Sequence, residues 1–189
     1  MALRPAKPFV WASGIRSPIY CDNRLLLSYP KARDLIIRGF IALIRKSKIR
    51  FDAIAGIATA GIPHAAILAE RLKKPLLYVR SAPKSHGKGN QIEGRFNKGD
   101  RVLVIEDLIS TGKSSLEAIA ALEKAGAKVT DCLAIFSYGF PVAQRAFQKA
   151  SCRLSTLTTL GDLLRTAVAL KKISPDELGI VLAFRESKA

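Results

Sequence analysis

Cysteine is scarce in this chain: Cys21, Cys132 and Cys152 are the three among 189 residues. They are far apart, odd in number and form no Cys-x-x-Cys pair. That pattern argues against a disulfide framework or a zinc site and points to a reducing compartment. Long apolar runs are also missing. The longest, Ala53 to Ala69, is broken by Thr59, Gly61, Pro63 and His64 and reads as strand, loop and helix, so no membrane span is expected. Met1 to Trp11 lacks the apolar core of a signal peptide. Together these absences predict a cytoplasmic protein. No internal repeat and no low-complexity tract is visible. Acidic residues are few: 15 against 31 lysines and arginines, a formal net charge of +16. Such a surplus attracts polyanions, either nucleic acid or a substrate carrying several phosphates.

What is present suits one globular domain spanning residues 1–189. Hydrophobic residues make up 49% and charged residues 24%, and the length allows a substantial core without metals or disulfides. Leu35, Ile36, Phe40, Leu43 and Ile44 recur at helical spacing, which predicts a helix over 31–46 entered through Pro30. Short apolar strands are expected at 53–58, 76–79, 101–105 and 129–136, with an edge strand at 154–158. Helices are expected at 63–73, 114–125, 141–149, 160–171 and 175–185, the second stopping at Gly126. Strands alternating with helices predict an α/β fold, a mainly parallel central sheet flanked by helices. Ligands on such sheets bind beyond the strand C-termini, where segments 59–62, 80–99 and 107–114 fall.

The segment RVLVIEDLISTGKSS at 101–115 is the most informative. Branched apolar residues lead into two adjacent carboxylates, Glu106 and Asp107, then a turn of small and hydroxyl residues, then a helix. Unpaired N–H groups and the dipole at a helix N-terminus welcome a phosphate. The two acids would repel one and suit ribose hydroxyls, or a magnesium ion held by a phosphorylated sugar. Gly112-Lys113-Ser114 suggests a Walker A loop, but that motif needs a glycine where Asp107 stands, so a P-loop NTPase is rejected.

Apolar strand, two acids, two apolar residues and Ser-Thr-Gly-x-Ser together resemble the phosphoribosyl-pyrophosphate (PRPP) signature of type I phosphoribosyltransferases. Tyr78–Gly94 (YVRSAPKSHGKGNQIEG) is similar to the mobile catalytic loop of orotate phosphoribosyltransferases. Trp11–Pro30 resembles that family's N-terminal segment over the pyrimidine, and Gly56–Pro63 its pyrophosphate turn. The resemblance covers most of residues 9–140 and weakens beyond Phe140. It implies a type I phosphoribosyltransferase-like fold whose residues 1–30 contribute a small hood over the base. It implies transfer of ribose 5-phosphate from PRPP to orotate, giving orotidine 5′-monophosphate and pyrophosphate in pyrimidine (UMP) biosynthesis.

The resemblance also implies roles. Arg80, Lys84, His86 and Asp107 are the expected catalytic residues. PRPP is expected on Arg80, Lys84, His86, Thr59 and Ala60, and on the run Glu106, Asp107, Leu108, Ile109, Ser110, Thr111, Gly112, Lys113 and Ser114. Orotate is expected on Ser110 and Arg16. Mg2+ is the expected cofactor, held mainly through PRPP with no direct protein ligand, and the expected assembly is a homodimer with shared active sites. Asp22 and Arg24 form either a local ion pair or part of the base pocket, and His64 is expected to be structural. Ser81 and Ala82 stand where several members carry a second lysine, and Arg16 where lysine is commoner. Two other readings share the fold: a phosphoribosyltransferase for another base, which the N-terminal segment argues against, and a PRPP-sensing nucleic-acid-binding regulator, which need not keep Lys84 and His86.

Overall fold

The computed structural model describes residues 2–4, 7–11, 14–82 and 91–187. Four two-residue strands come first: β1 (Ala2–Leu3), β2 (Phe9–Val10), β3 (Arg16–Ser17) and β4 (Ile19–Tyr20), with β1 paired to β4 and β2 to β3. A 3-10 helix (Asn23–Ser28) leads to α1 (Pro30–Lys46). Then follow β5 (Ala53–Ile57), α2 (Gly61–Leu72), β6 (Leu76–Val79), β7 (Ile92–Glu93), β8 (Val102–Ile109), α3 (Lys113–Lys124), β9 (Asp131–Ser137), α4 (Pro141–Lys149), β10 (Arg153–Thr159), α5 (Leu160–Ala169) and α6 (Pro175–Glu186).

Six strands form the central sheet in the order β10-β9-β8-β5-β6-β7. All pairings are parallel except β6 with β7, which form a hairpin over Tyr78↔Glu93 and Val79↔Ile92. The polar segment 80–99 is therefore not one uninterrupted loop. Two of its residues add an antiparallel edge strand. The expected edge strand over 154–158 is β10, on the opposite side of the sheet.

Strand side chains alternate between the faces, as a period of two requires. Val102 and Val104 pack with Ala118, Ile119 and Leu122 of α3. Leu103 and Ile105 pack with Phe40 of α1 and Leu68 of α2 on the other face. Central strands covered on both faces explain the continuous apolar runs. A third cluster joins Trp11 and Ile19 of the N-terminal segment to Phe136 at the end of β9, to Tyr138 and Phe140 just beyond it, and to Leu160, Leu164 and Val181 of the last two helices. The N-terminal segment is thus tied to the end of the sheet by aromatic packing, with Trp11 and Tyr138 ring centroids 4.4 Å apart.

Two differences from the sequence reading matter. Strand β8 does not stop at Ile105 but continues through both acids to Ile109, because Glu106, Leu108 and Ile109 find partners at Ala134, Phe136 and Ser137 of β9. Ladder pairing outweighs the poor strand preference of acidic residues. Helix α2 starts at Gly61, two residues before Pro63.

Neighbouring strands β5 and β8 send their helices to opposite faces, α2 to one and α3 to the other. Their C-terminal ends therefore part around a crevice, the place where open α/β sheets bind ligands. Glycines set how tightly it is built. A Cβ on Gly61 would meet the Ile105 carbonyl oxygen at 2.5 Å, and one on Gly56 would meet Ile62 Cα at 2.8 Å. Gly61→Ala is expected to lower stability by about 1–3 kcal/mol in urea unfolding, the usual cost of overpacking. Gly179→Ala, on α6 with nothing within 4 Å, is expected to raise it by about 0.5–1 kcal/mol.

Candidate active site

At the crevice lies a cavity of about 930 Å³. Its floor is the end of β8, where Glu106 and Asp107 line it. One wall is the turn after β5, with Thr59 and Ala60, and another is the loop from Ser110 into α3. The Ala58–Thr59 peptide is cis. Gly112 is left-handed, with φ +80°, and a Cβ there would also strike the Phe147 ring at 2.7 Å. Glycine is required at that corner on both counts. Helix α3 begins at once, and no side chain caps its N-terminus. Its first-turn N–H groups are left for a ligand, beside Lys113, Ser114 and Ser115 on the cavity wall.

The two acids differ in setting. Glu106 is only 6% exposed and accepts from the Asp107 N–H (2.9 Å) and the Ser115 hydroxyl (3.2 Å). Burial pushes its carboxyl well above the usual range, and the adjacent Asp107 carboxyl adds to this. Asp107 is half-buried, and its carbonyl accepts from the Asn23 amide at 2.9 Å, which ties the hood segment to the floor. Burial thus favours a neutral acid in one of the two positions, and a phosphorylated ligand meets less negative charge than the pair suggests. Among the described residues no three histidine, cysteine or acidic side chains cluster to hold a metal. One or two carboxylates beside bound phosphates do suit Mg2+, which prefers that mixture to an all-protein cage.

Hood residues close the far end. Trp11, Tyr20 and Tyr138 line it, and the Tyr138 hydroxyl accepts from the Cys21 N–H at 3.1 Å. Burial raises the Tyr138 phenol above its ordinary value, so it stays a neutral hydroxyl. Asp22 and Arg24 both line the cavity and also form an ion pair, Arg24 Nε to Asp22 Oδ1 at 2.7 Å. The guanidinium's hydrogen bonds hold the Asp22 carboxyl below its ordinary range.

The structure brings together Thr59, Ala60, Glu106, Asp107, Leu108, Ser110, Thr111, Gly112, Lys113 and Ser114 around this cavity. Others of the expected set lie elsewhere. The Ile109 side chain is buried in the core against α3 and cannot reach a ligand. Arg16 sits on β3 with its side chain exposed and is not part of the lining. Arg80 follows β6, its N–H donating to the Gln91 carbonyl at 2.9 Å and its guanidinium 3.9 Å from Glu93. Lys84 and His86 lie outside the described residues. His64 is buried on α2, and burial lowers its pKa, so a neutral imidazole is favoured.

Sequence reasoning missed Asn23, Ser115 and Tyr138 as parts of the site. Asn23 lies within the N-terminal segment that the resemblance placed over the base, but its own bond to the Asp107 carbonyl, like that of Tyr138 to Cys21, joins residues far apart in the chain. Ser115 stands in the motif's serine pair, and helical spacing back to the strand end could have marked it.

The Glu106 setting has a pH consequence. A carboxyl raised in the folded state makes the native protein hold more protons than the unfolded chain. Its stabilising contribution is full below about pH 4.3 and is lost as pH rises through the raised folded value. Glu106→Gln removes that slope. The melting temperature of Glu106→Gln relative to the parent protein is therefore expected to increase from pH 5 to pH 8; a constant or shrinking difference would contradict the assignment.

Comparison with known proteins agrees with this geometry. A family model described as "Phosphoribosyl transferase domain" matches residues 27–153. The chain is 50% identical over 186 residues to an orotate phosphoribosyltransferase of Streptococcus mutans, covering 98% of this chain and 89% of the relative. Identity to the Bacillus pumilus orotate phosphoribosyltransferase is 53% over 186 residues, covering 98% and 88%. Among solved structures, Leishmania donovani UMP synthase superposes with a TM-score of 0.83 at 32% identity, over 95% of this chain and 38% of that one. The orotate phosphoribosyltransferase of Aeropyrum pernix superposes with a TM-score of 0.74 at 34% identity, covering 88% and 92%. A strand-end acid pair facing an uncapped helix at a topological switch point, and half-identity across nearly the whole length, lead to one conclusion: the chain belongs to the orotate phosphoribosyltransferase family, on the type I phosphoribosyltransferase fold.

Proposed function

We propose that the protein joins orotate to the ribose 5-phosphate of PRPP, releasing pyrophosphate and forming orotidine 5′-monophosphate. The observation that carries this is the order of chemistry around one cavity. An uncapped helix N-terminus stands beside an acid pair, and an aromatic hood lies beyond it. Phosphate, sugar hydroxyls and a flat base would each meet the surface that suits them.

The ring nitrogen of orotate attacks C1 of the sugar as the bond to pyrophosphate breaks, its electron pair leaving with the phosphate oxygen. The nitrogen's proton passes to the released pyrophosphate or to water. The α3 N-terminus with Thr111, Ser114 and Lys113 would hold the 5-phosphate. Asp107 and Glu106 would accept from the ribose hydroxyls, and Ser110 would reach the base. The turn at Thr59 and Ala60 would bind pyrophosphate through its backbone. Charge grows on the leaving group, so Lys84, His86 and Arg80 would stabilise the transition state more than the ground state. Mg2+, where bound with PRPP, neutralises phosphate charge. The family resemblance supports a cytoplasmic homodimer in which the 80–99 segment serves the neighbouring subunit. Among the described residues, no helix is long and apolar enough to cross a membrane.

Spectrophotometric loss of orotate with PRPP and Mg2+ tests the activity. Asp107→Asn and Lys84→Ala are each expected to cut kcat about 100-fold or more while circular dichroism stays unchanged. Consumption of uracil or a purine with orotate untouched would retain the family and overturn the substrate. Tight nucleic-acid binding with a steep salt dependence and no orotate turnover would favour a regulator instead.

A further inference from the structure

Orotate differs from the other pyrimidine bases by a ring carboxylate, and a cavity that takes it must offer that anion a cation. The described lining carries four carboxylates, Asp22, Glu106, Asp107 and Glu117, against two cations, Arg24 and Lys113. Lys113 belongs to the phosphate end. It stands in the first turn of α3, is largely exposed and lies 4.0 Å from Glu117 one turn on. Arg24 comes from the N-terminal segment, where it donates to the Tyr20 hydroxyl, another residue of the lining.

The hydrogen bonds of Arg24 define what it has left to give. A guanidinium carries five N–H donors. Nε donates to Asp22 Oδ1 at 2.7 Å and Nη2 to Asp22 Oδ2 at 2.9 Å, a bidentate grip on one edge. The second Nη2 hydrogen goes to the Tyr20 hydroxyl at 3.0 Å. Both Nη1 hydrogens remain without an acceptor among the described residues. Asp22 also caps the 3-10 helix, accepting from the Arg24 N–H at 3.1 Å, so backbone and side chain are held by one carboxylate. Tyr20 is braced by Phe9, ring centroids 5.5 Å apart. The result is a charged group oriented in advance, with one nitrogen free, on a residue that lines the cavity.

Resting on the activity proposed above, we infer that Arg24 is the specificity residue for the base, its free Nη1 donating to the ring carboxylate of orotate. Asp22 and Tyr20 act through it as positioning residues. A surface ion pair with no further role would leave the same contacts within the segment. What favours a role at the base is that the pair also lines the cavity, where Arg24 and Lys113 are the two cations of the described lining. Because Asp22 neutralises much of the arginine's charge, discrimination comes from directed hydrogen bonds more than from bulk attraction.

Steady-state kinetics of Arg24→Gln test this with three readouts. The KM for orotate is expected to rise about 10- to 100-fold, the range of a lost hydrogen bond to a charged group. The KM for PRPP is expected to stay within about two-fold, and inhibition by uracil, which lacks the carboxylate, to be unchanged. Asp22→Asn, which loosens the grip without removing the cation, is expected to give a smaller rise in the orotate KM alone. An unaltered orotate KM in Arg24→Gln overturns the inference. So does a parallel rise in the PRPP KM and the uracil inhibition constant, the result of a purely structural role. A parent protein that consumes another base and ignores orotate overturns the proposed activity and this inference together, a result distinct from an active parent and an unaffected variant.

Discussion

How closely helix α2 can approach strand β8 governs the rest of the site. Gly61 opens α2 against the Ile105 carbonyl, and Gly56 lets Ile62 and Ala65 press onto β5. Any side chain at either place would push the turn at 58–60 away from the end of β8. With both glycines, the turn after β5 and the acids at the end of β8 share one cavity, although some fifty residues separate them in the chain. The opposite exits of α2 and α3 keep that cavity open above the sheet.

Electrostatics then divide the molecule. At the cavity end, the first turn of α3 presents unused N–H groups, and burial of Glu106 moderates the negative charge of the acid pair. At the opposite edge of the sheet the helices end, and their last turns carry Arg45 and Lys46, Arg71, Lys124 and Lys149. Cations there offset the negative ends of the helix dipoles. Part of the large positive charge thus has a local purpose away from the substrates.

The central motif was legible because its chemistry is local. Consecutive residues from Val102 to Ser115 make strand, acid pair, turn and helix, and each type suits its place without help from distant parts of the chain. The alternation of strands and helices was equally readable from apolar spacing. What the sequence left open was the environment of individual side chains. Ile109 looked like part of the ligand loop, yet ladder pairing with Ser137 extends the strand and turns that side chain into the core. Arg16 has the charge for an anionic base, yet its side chain on strand β3 is exposed and does not line the cavity, whereas Arg24 does. The antiparallel strand β7 was hidden because two residues are too few for a periodic signal.

The order of the amino acids alone determined the fold class, the position of the strand–turn–helix motif and the presence of an acid pair, since each follows from residues adjacent in the chain. Only the tertiary structure decided which acid is buried, which cations line the cavity and which hydroxyls and amides complete the walls. Burial and hydrogen-bond partners belong to contacts between segments, such as Glu106 with Ser115, Asn23 with Asp107 and Cys21 with Tyr138. No local pattern encodes those meetings; they arise when the hood, the sheet ends and helix α3 come together over one crevice.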